Sequence, residues 1–130
     1  MLRTLVVLAV VAIGSDCLAA VDIGANGVRV RHEVVIAASP AKVYGALTGH
    51  VDRWWNAQHT YSGDSRNLPI DARAGGCFCE KLSNGSVEHM QVVHARTNEM
   101  LRMTGGLGPL QASGVAGAMT WRLSPAQAAT

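Results

Sequence analysis

Residues 76–94 read Gly-Cys-Phe-Cys-Glu-Lys-Leu-Ser-Asn-Gly-Ser-Val-Glu-His-Met-Gln-Val-Val-His, two strand-forming runs on either side of Asn84-Gly85. Asn-Gly accepts positive φ at both central positions of a tight turn, so Gly76–Leu82 and Val87–His94 are expected to form a β-hairpin. With Asn84 and Gly85 central, Leu82 faces Val87, Lys81 faces Glu88, Glu80 faces His89, Cys79 faces Met90, Phe78 faces Gln91 and Cys77 faces Val92. Glu80 and His89 then share a face with Phe78, Leu82, Val87 and Val93. They are the catalytic candidates, a carboxylate orienting an imidazole for acid/base work. The plainer alternative is a cross-strand pair in which each group satisfies the other wherever it is buried.

On the other face lie Cys77, Cys79, Met90 and His94. Thiolate, thioether and imidazole together suit cuprous copper, but Lys81 and Glu88 at the turn end mark a half-buried outer face, and no metal is expected there. Residues two apart on a strand stand about 6.6 Å apart, near the outer limit for a disulfide, so the two cysteines read as small buried hydrophobes. A redox-active pair is the alternative.

Working outward, Met100–Gly105 and Ala116–Ser124 read as further strands, the second burying Met119, Trp121 and Leu123 by alternation. The loop between them, Gly106–Gly114, is unusually apolar. It reads as a lid over a site, with Leu110 as a ligand contact, or as a surface docked on the core or a partner. Upstream, Ser39 is an N-cap and Pro40 the first helical residue of a helix to Leu47, with Val43, Ala46 and Leu47 at helical spacing. A helical turn is expected over Val51–Trp55. Asn56–Ala74 reads as loop with a short strand near Leu68. A first strand, Val28–Ile36, places Val28, Val30, His32, Val34 and Ile36 inward and Arg29, Arg31 and Glu33 outward. The sum is an α+β domain: two short N-terminal helices and an antiparallel sheet that should curl.

Composition bounds the function. The chain has 130 residues, 48% hydrophobic and 15% charged, which suits one small globular domain. Eleven Lys and Arg against nine Asp and Glu are scattered singly, so no phosphate-tracking surface and no nucleic acid partner is expected. Phosphate-loop, dinucleotide, G-x-S-x-G and H-E-x-x-H motifs are missing, and no cofactor is expected. Met1-Leu2-Arg3 followed by the apolar run Leu5–Ile13 is too short to span a membrane and reads as a secretory signal peptide, cut after Ala19 in preference to Ala20. Residues 20–130 would then be one periplasmic or secreted domain without stable membrane insertion.

Ser39-Pro40, Val43-Tyr44, Ala46-Leu47-Thr48 and Trp54-Trp55 resemble the opening of the START-like SRPBCC superfamily. Thr60–Asp64, Gly75–Glu80, Ser86–His89 and Gly108–Gln111 are similar to a bacterial polyketide cyclase-like subgroup of it, over Val28 to Leu123. The resemblance implies a helix-grip (START/Bet v1-like) fold, a bent antiparallel sheet wrapped on a long C-terminal helix around an elongated hydrophobic cavity. Another strand and that helix would follow Ser124 in the family; here only six residues follow, so the last strand and helix are expected to be missing. The sheet would then have an open edge, with self-association through it.

Three functions stay open. The leading one is an exported binder of a small apolar molecule, lined by His32, Trp54, Trp55, His59, Tyr61, Phe78, Gln91, Leu110 and Trp121. The second is a cyclase, dehydratase or hydrolase-type enzyme using Glu80 and His89. The third is a truncated remnant without activity.

Overall fold

The protein is described by a computed structural model over residues 18–126. It divides between Ala37 and Ala38 into two compact units. The first is a hairpin of β1 (Leu18–Gly24) and β2 (Gly27–Glu33), paired antiparallel in unbroken register from Leu18 opposite Glu33 to Gly24 opposite Gly27. Val21 pairs with Val30 and Ile23 with Val28, so the hairpin has one apolar face, yet every residue of β2 is exposed. Two sequence expectations are corrected here. The strand stops at Glu33 instead of Ile36, and His32 with its apolar neighbours is not inward-facing within this unit. Alternation records which residues share a face; it cannot say whether anything covers that face. β1 itself was missed, although Asn26-Gly27 is the same dipeptide that marks the other hairpin. The proposed signal sequence lies outside the described residues up to position 17, and β1 runs across the expected cut.

The second unit opens with α1 (Pro40–Gly49). Its start is as expected: the Ser39 hydroxyl accepts from the Lys42 amide at 3.3 Å and Pro40 occupies the first turn, where its missing N–H costs nothing. The buried residue of α1 is Tyr44, while Ala46 is exposed. A 3-10 turn, Val51–Arg53, stands where a helical turn was expected. Two more such turns, Ala57–His59 and Ser65–Asn67, punctuate the following loop. Ile70 makes an isolated bridge to Phe78 near the expected short strand.

The sheet is an antiparallel meander in the order β3 (Cys77–Leu82), β4 (Gly85–Arg96), β5 (Met100–Gly105), β6 (Gly117–Arg122). The class is α+β, as the sequence indicated. The hairpin register is not. Leu82 faces Gly85, Lys81 faces Ser86, Glu80 faces Val87 and Cys79 faces Glu88, so Ser83-Asn84 form the turn. Left-handed positions among the described non-glycine residues are Asn98 and Leu107, so the turn does not use the positive φ that Asn84-Gly85 offered. Between Phe78 and Cys79 the register steps: Phe78 faces Met90 and Cys77 faces Gln91, leaving His89 as the surplus residue of a β-bulge. A second irregularity follows at Val93. Bulges bend and twist a strand locally, and both lie on the long central β4.

The bulge changes which side chains enter the core. Met90, expected outside, is 3% exposed, while Val93, expected inside, is 45% exposed. Columns of facing residues build the inner layer: Val92, Met103 and Met119; Ala95, Leu101 and Trp121. Tyr44, Val51, Leu68, Ile70 and Phe78 pack with them. The expected inward set of β6, Met119, Trp121 and Leu123, is half-buried against this cluster.

Candidate functional site

Glu80 is fully buried and His89 nearly so, with His89 Nε2 2.9 Å from Glu80 Oε2. The expected pairing is therefore present, but by a different route. Glu80 faces Val87 across the ladder and reaches His89 diagonally, and the bulge turns both His89 and Met90 inward. Glu80 Oε1 accepts the Ser62 amide at 2.5 Å. Burial pushes the Glu80 carboxyl upward, but the Ser62 side chain and amide, His89 and the Tyr61 amide together hold it below the usual carboxylate range. An ionised carboxylate only accepts, so Nε2 carries the proton of the shared bond. In the neutral ring Nδ1 is then the free acceptor, on the edge facing away from Glu80.

Two elements pack on the ring. The Tyr61 ring stacks on His89 with centroids 6.2 Å apart and planes 20° off parallel. Gly108 lies against the Nδ1 edge: a Cβ there would stand 2.8 Å from Tyr61 Cε2 and 3.0 Å from His89 Nδ1, and its φ is 55°. Only glycine combines that φ with so close an approach. Gly108 begins the 3-10 turn Gly108–Ser113 within the apolar loop. The loop is fastened to the bulge, with the Leu107 amide donating to the His89 carbonyl at 3.1 Å and the Gln111 side chain donating to the Glu88 carbonyl. At the loop's base Gly105 has φ 154°, and a Cβ on it would meet the His89 carbonyl at 2.7 Å. The loop carrying Gly108 was expected as a lid, but Gly105 and Ser62 were not among the expected site residues, because each acts through backbone position.

Aromatic rings continue from His89. Phe78 lies 5.5 Å from it, Trp55 5.3 Å from Phe78, Trp54 5.7 Å from Trp55, and Trp121 5.8 Å from Trp54, the last three contacts edge-to-face. The row Tyr61, His89, Phe78, Trp55, Trp54, Trp121 unites five of the nine residues expected to line a ligand site. Trp55 Nε1 donates to the His59 carbonyl and Trp54 Nε1 to the Leu47 carbonyl, tying the turns after α1 to the row. Three of the other four stand apart from it. The His59 side chain is exposed, Leu110 is 48% exposed, and Gln91 faces Cys77 and Thr104 on the outer layer. His32 belongs to the separate N-terminal unit.

Cys77 and Cys79 are joined by a disulfide with their Cα atoms 5.4 Å apart. The unbridged expectation assumed a regular strand rise, and β3 is contracted at this step. Met90 points to the opposite face, so the soft donor set is dispersed, and no cluster of three or more His, Cys, Asp or Glu suited to a metal occurs among the described residues. No described helix is long and apolar enough to cross a membrane. A surface cleft of about 550 Å³ opens beside the Ser62–Glu80 bond, bounded by Tyr61, Ser62, Asn67, Lys81 and the turn residues. No family model, no curated protein and no solved structure matches the chain.

Proposed function

We propose that the second unit binds a small, largely apolar molecule bearing one polar group, in the manner of the helix-grip SRPBCC domains that its sequence resembles. The ligand's apolar body lies along the aromatic row, and its polar group reaches His89 Nδ1 when Gly108 and its loop lift. A buried Glu80–His89 bond at the end of that row carries the proposal. Replacing both members of a buried polar pair by apolar side chains of like volume is commonly near neutral, so stability alone gives little reason to keep one. Placement outside the cytoplasm belongs to the same proposal and is supported by the disulfide, since such bonds persist in oxidising compartments.

A second function, acid/base catalysis, is favoured by one observation: Glu80 Oε2 holds His89 Nε2 at 2.9 Å, which fixes the ring with Nδ1 turned away from the carboxylate. The two functions separate by their chemistry. A binder retains its ligand unchanged, whereas an enzyme releases a product.

Native mass spectrometry of the chain isolated from its own host, followed by NMR with a set of aromatic carboxylic acids and phenols, is the test. A retained mass, or saturable shifts at Tyr61, His89 and Trp55 that His89→Gln abolishes, is the expected outcome. No retained mass together with unmoved resonances overturns the proposal.

A further inference from the structure

The Cys77–Cys79 bridge has no role in ligand binding as proposed, and it is poorly suited to being a structural staple. It spans a single residue and joins no two elements. The chain entropy a crosslink removes grows with loop length, and this loop is close to the shortest possible. Both cysteines are half-buried on the outer face of β3, an edge strand of the sheet.

Its position is informative. Residues two apart on a regular strand stand about 6.6 Å apart, against 5.4 Å here. The contraction falls at the Phe78/Cys79 step, where β4 carries His89 as its surplus residue. Phe78, the residue inside the bridge, is fully buried with its ring against His89 and Trp55. A change in the rise of β3 at this step therefore acts on the residue that bonds Glu80.

We propose that Cys77–Cys79 is a thiol–disulfide exchange site, opened by a dithiol and closed by a disulfide oxidant, whose state sets how firmly His89 is held against Glu80. In the opening direction a thiolate of the dithiol attacks one bridge sulfur. The S–S bond breaks, and the other cysteine leaves as a thiolate that takes up a proton. The second thiol of the reductant, as its thiolate, then displaces the remaining cysteine from the mixed disulfide. The reductant becomes a disulfide, and the protein gains two electrons and two protons. Released from the bridge, β3 relaxes toward the ordinary rise, and the bulge loses the contraction that matches it.

The full chain is titrated with dithiothreitol, with free thiols counted by alkylation and mass, helix and strand content followed by circular dichroism, and amide exchange read at Ser62 and His89. Two thiols should appear together with secondary structure kept, exchange at Ser62 and His89 should quicken by about tenfold, and oxidised glutathione should reverse both. Cys77→Ser/Cys79→Ser should match the reduced state. The proposal is overturned if the bridge resists dithiothreitol in the folded chain, if reduction unfolds the unit, or if the reduced protein keeps the oxidised exchange rates at Ser62 and His89.

Discussion

The two hairpins of this chain use one turn design. β1 and β2 close over Ala25-Asn26 with Gly27 following; β3 and β4 close over Ser83-Asn84 with Gly85 following. Both alternate apolar and polar side chains. The first keeps perfect register and stays exposed; the second carries a bulge and holds the core and the Glu80–His89 pair. Turn chemistry and alternation therefore make a hairpin, and packing decides what the hairpin does. A ladder with exposed side chains has no reason to break its register, whereas one pressed against Leu68, Leu101 and Met103 admits a surplus residue where that buries His89 and Met90 together.

The largest test of the comparison is truncation within each hairpin. Phe78→Ala removes a ring of 0% exposure and should lower the unfolding free energy by about 3–5 kcal/mol. Ile23→Ala, at a residue 77% exposed, should change it by less than about 0.5 kcal/mol. Urea unfolding of both variants measures this, and equal effects would mean that Ile23 is as buried as Phe78.

Next come the two glutamates, one in each hairpin, that are paired with a side-chain nitrogen. Glu33 meets Arg31 on the surface, with both side chains more than half exposed, and Glu33→Ala should leave the midpoint unmoved. Glu80→Ala leaves the His89 Nε2 and the Ser62 amide without their partner and should cost about 1–3 kcal/mol for each group left unpaired. Glu80→Leu with His89→Leu should recover most of that loss while abolishing any ligand response. If the double variant is as unstable as the single, packing around the bulge, and not charge, depends on the pair.

Much of this architecture was legible. Ser39-Pro40 announced α1, Met100–Gly105 was found to the residue, and Glu80 with His89 was found as a pair. The errors at the second hairpin share one cause. Register at the second hairpin was read from Asn84-Gly85 alone, but the turn slipped by one position and a bulge then shifted it again, so Met90 and Val93 exchanged faces. A bulge is set by contacts from distant chain, here the Leu107 amide, Gly105 and the side chains above Phe78, and no local pattern encodes it. The disulfide stood only as the alternative for the same reason, since a regular strand puts Cys77 and Cys79 near the outer limit of reach and the contracted one brings them to 5.4 Å.

The pair also sets an acid response. Glu80 has its folded pKa below the ordinary value of 4.5. Its contribution to stability is therefore present above the unfolded pKa and is lost as pH falls through the folded one. Stability of the second unit should decline below about pH 4.3, and Glu80→Gln should flatten that decline. Urea midpoints between neutral and acid pH check it, and an identical acid slope in Glu80→Gln would place the responsible carboxylate elsewhere.

The smallest effect concerns the glycines that flank each hairpin's outcome. Gly24 ends β1 in a conformation open to any residue, and a Cβ there would find its nearest neighbour, the Gly27 carbonyl, at 3.9 Å. Gly24→Ala should be close to neutral. Gly108 combines φ 55° with contact on Tyr61 and His89, so Gly108→Ala should cost about 1–3 kcal/mol. Because the new methyl group meets Tyr61 and His89 before anything else, relief comes by moving the loop outward. The Tyr61 ring resonances should shift and the Leu107 amide should exchange faster, while the distant Leu123 amide, bonded to Glu99, stays protected. Faster exchange at both amides would mean the sheet itself has loosened, and Gly108 would then be part of the scaffold and not of a movable cover over His89.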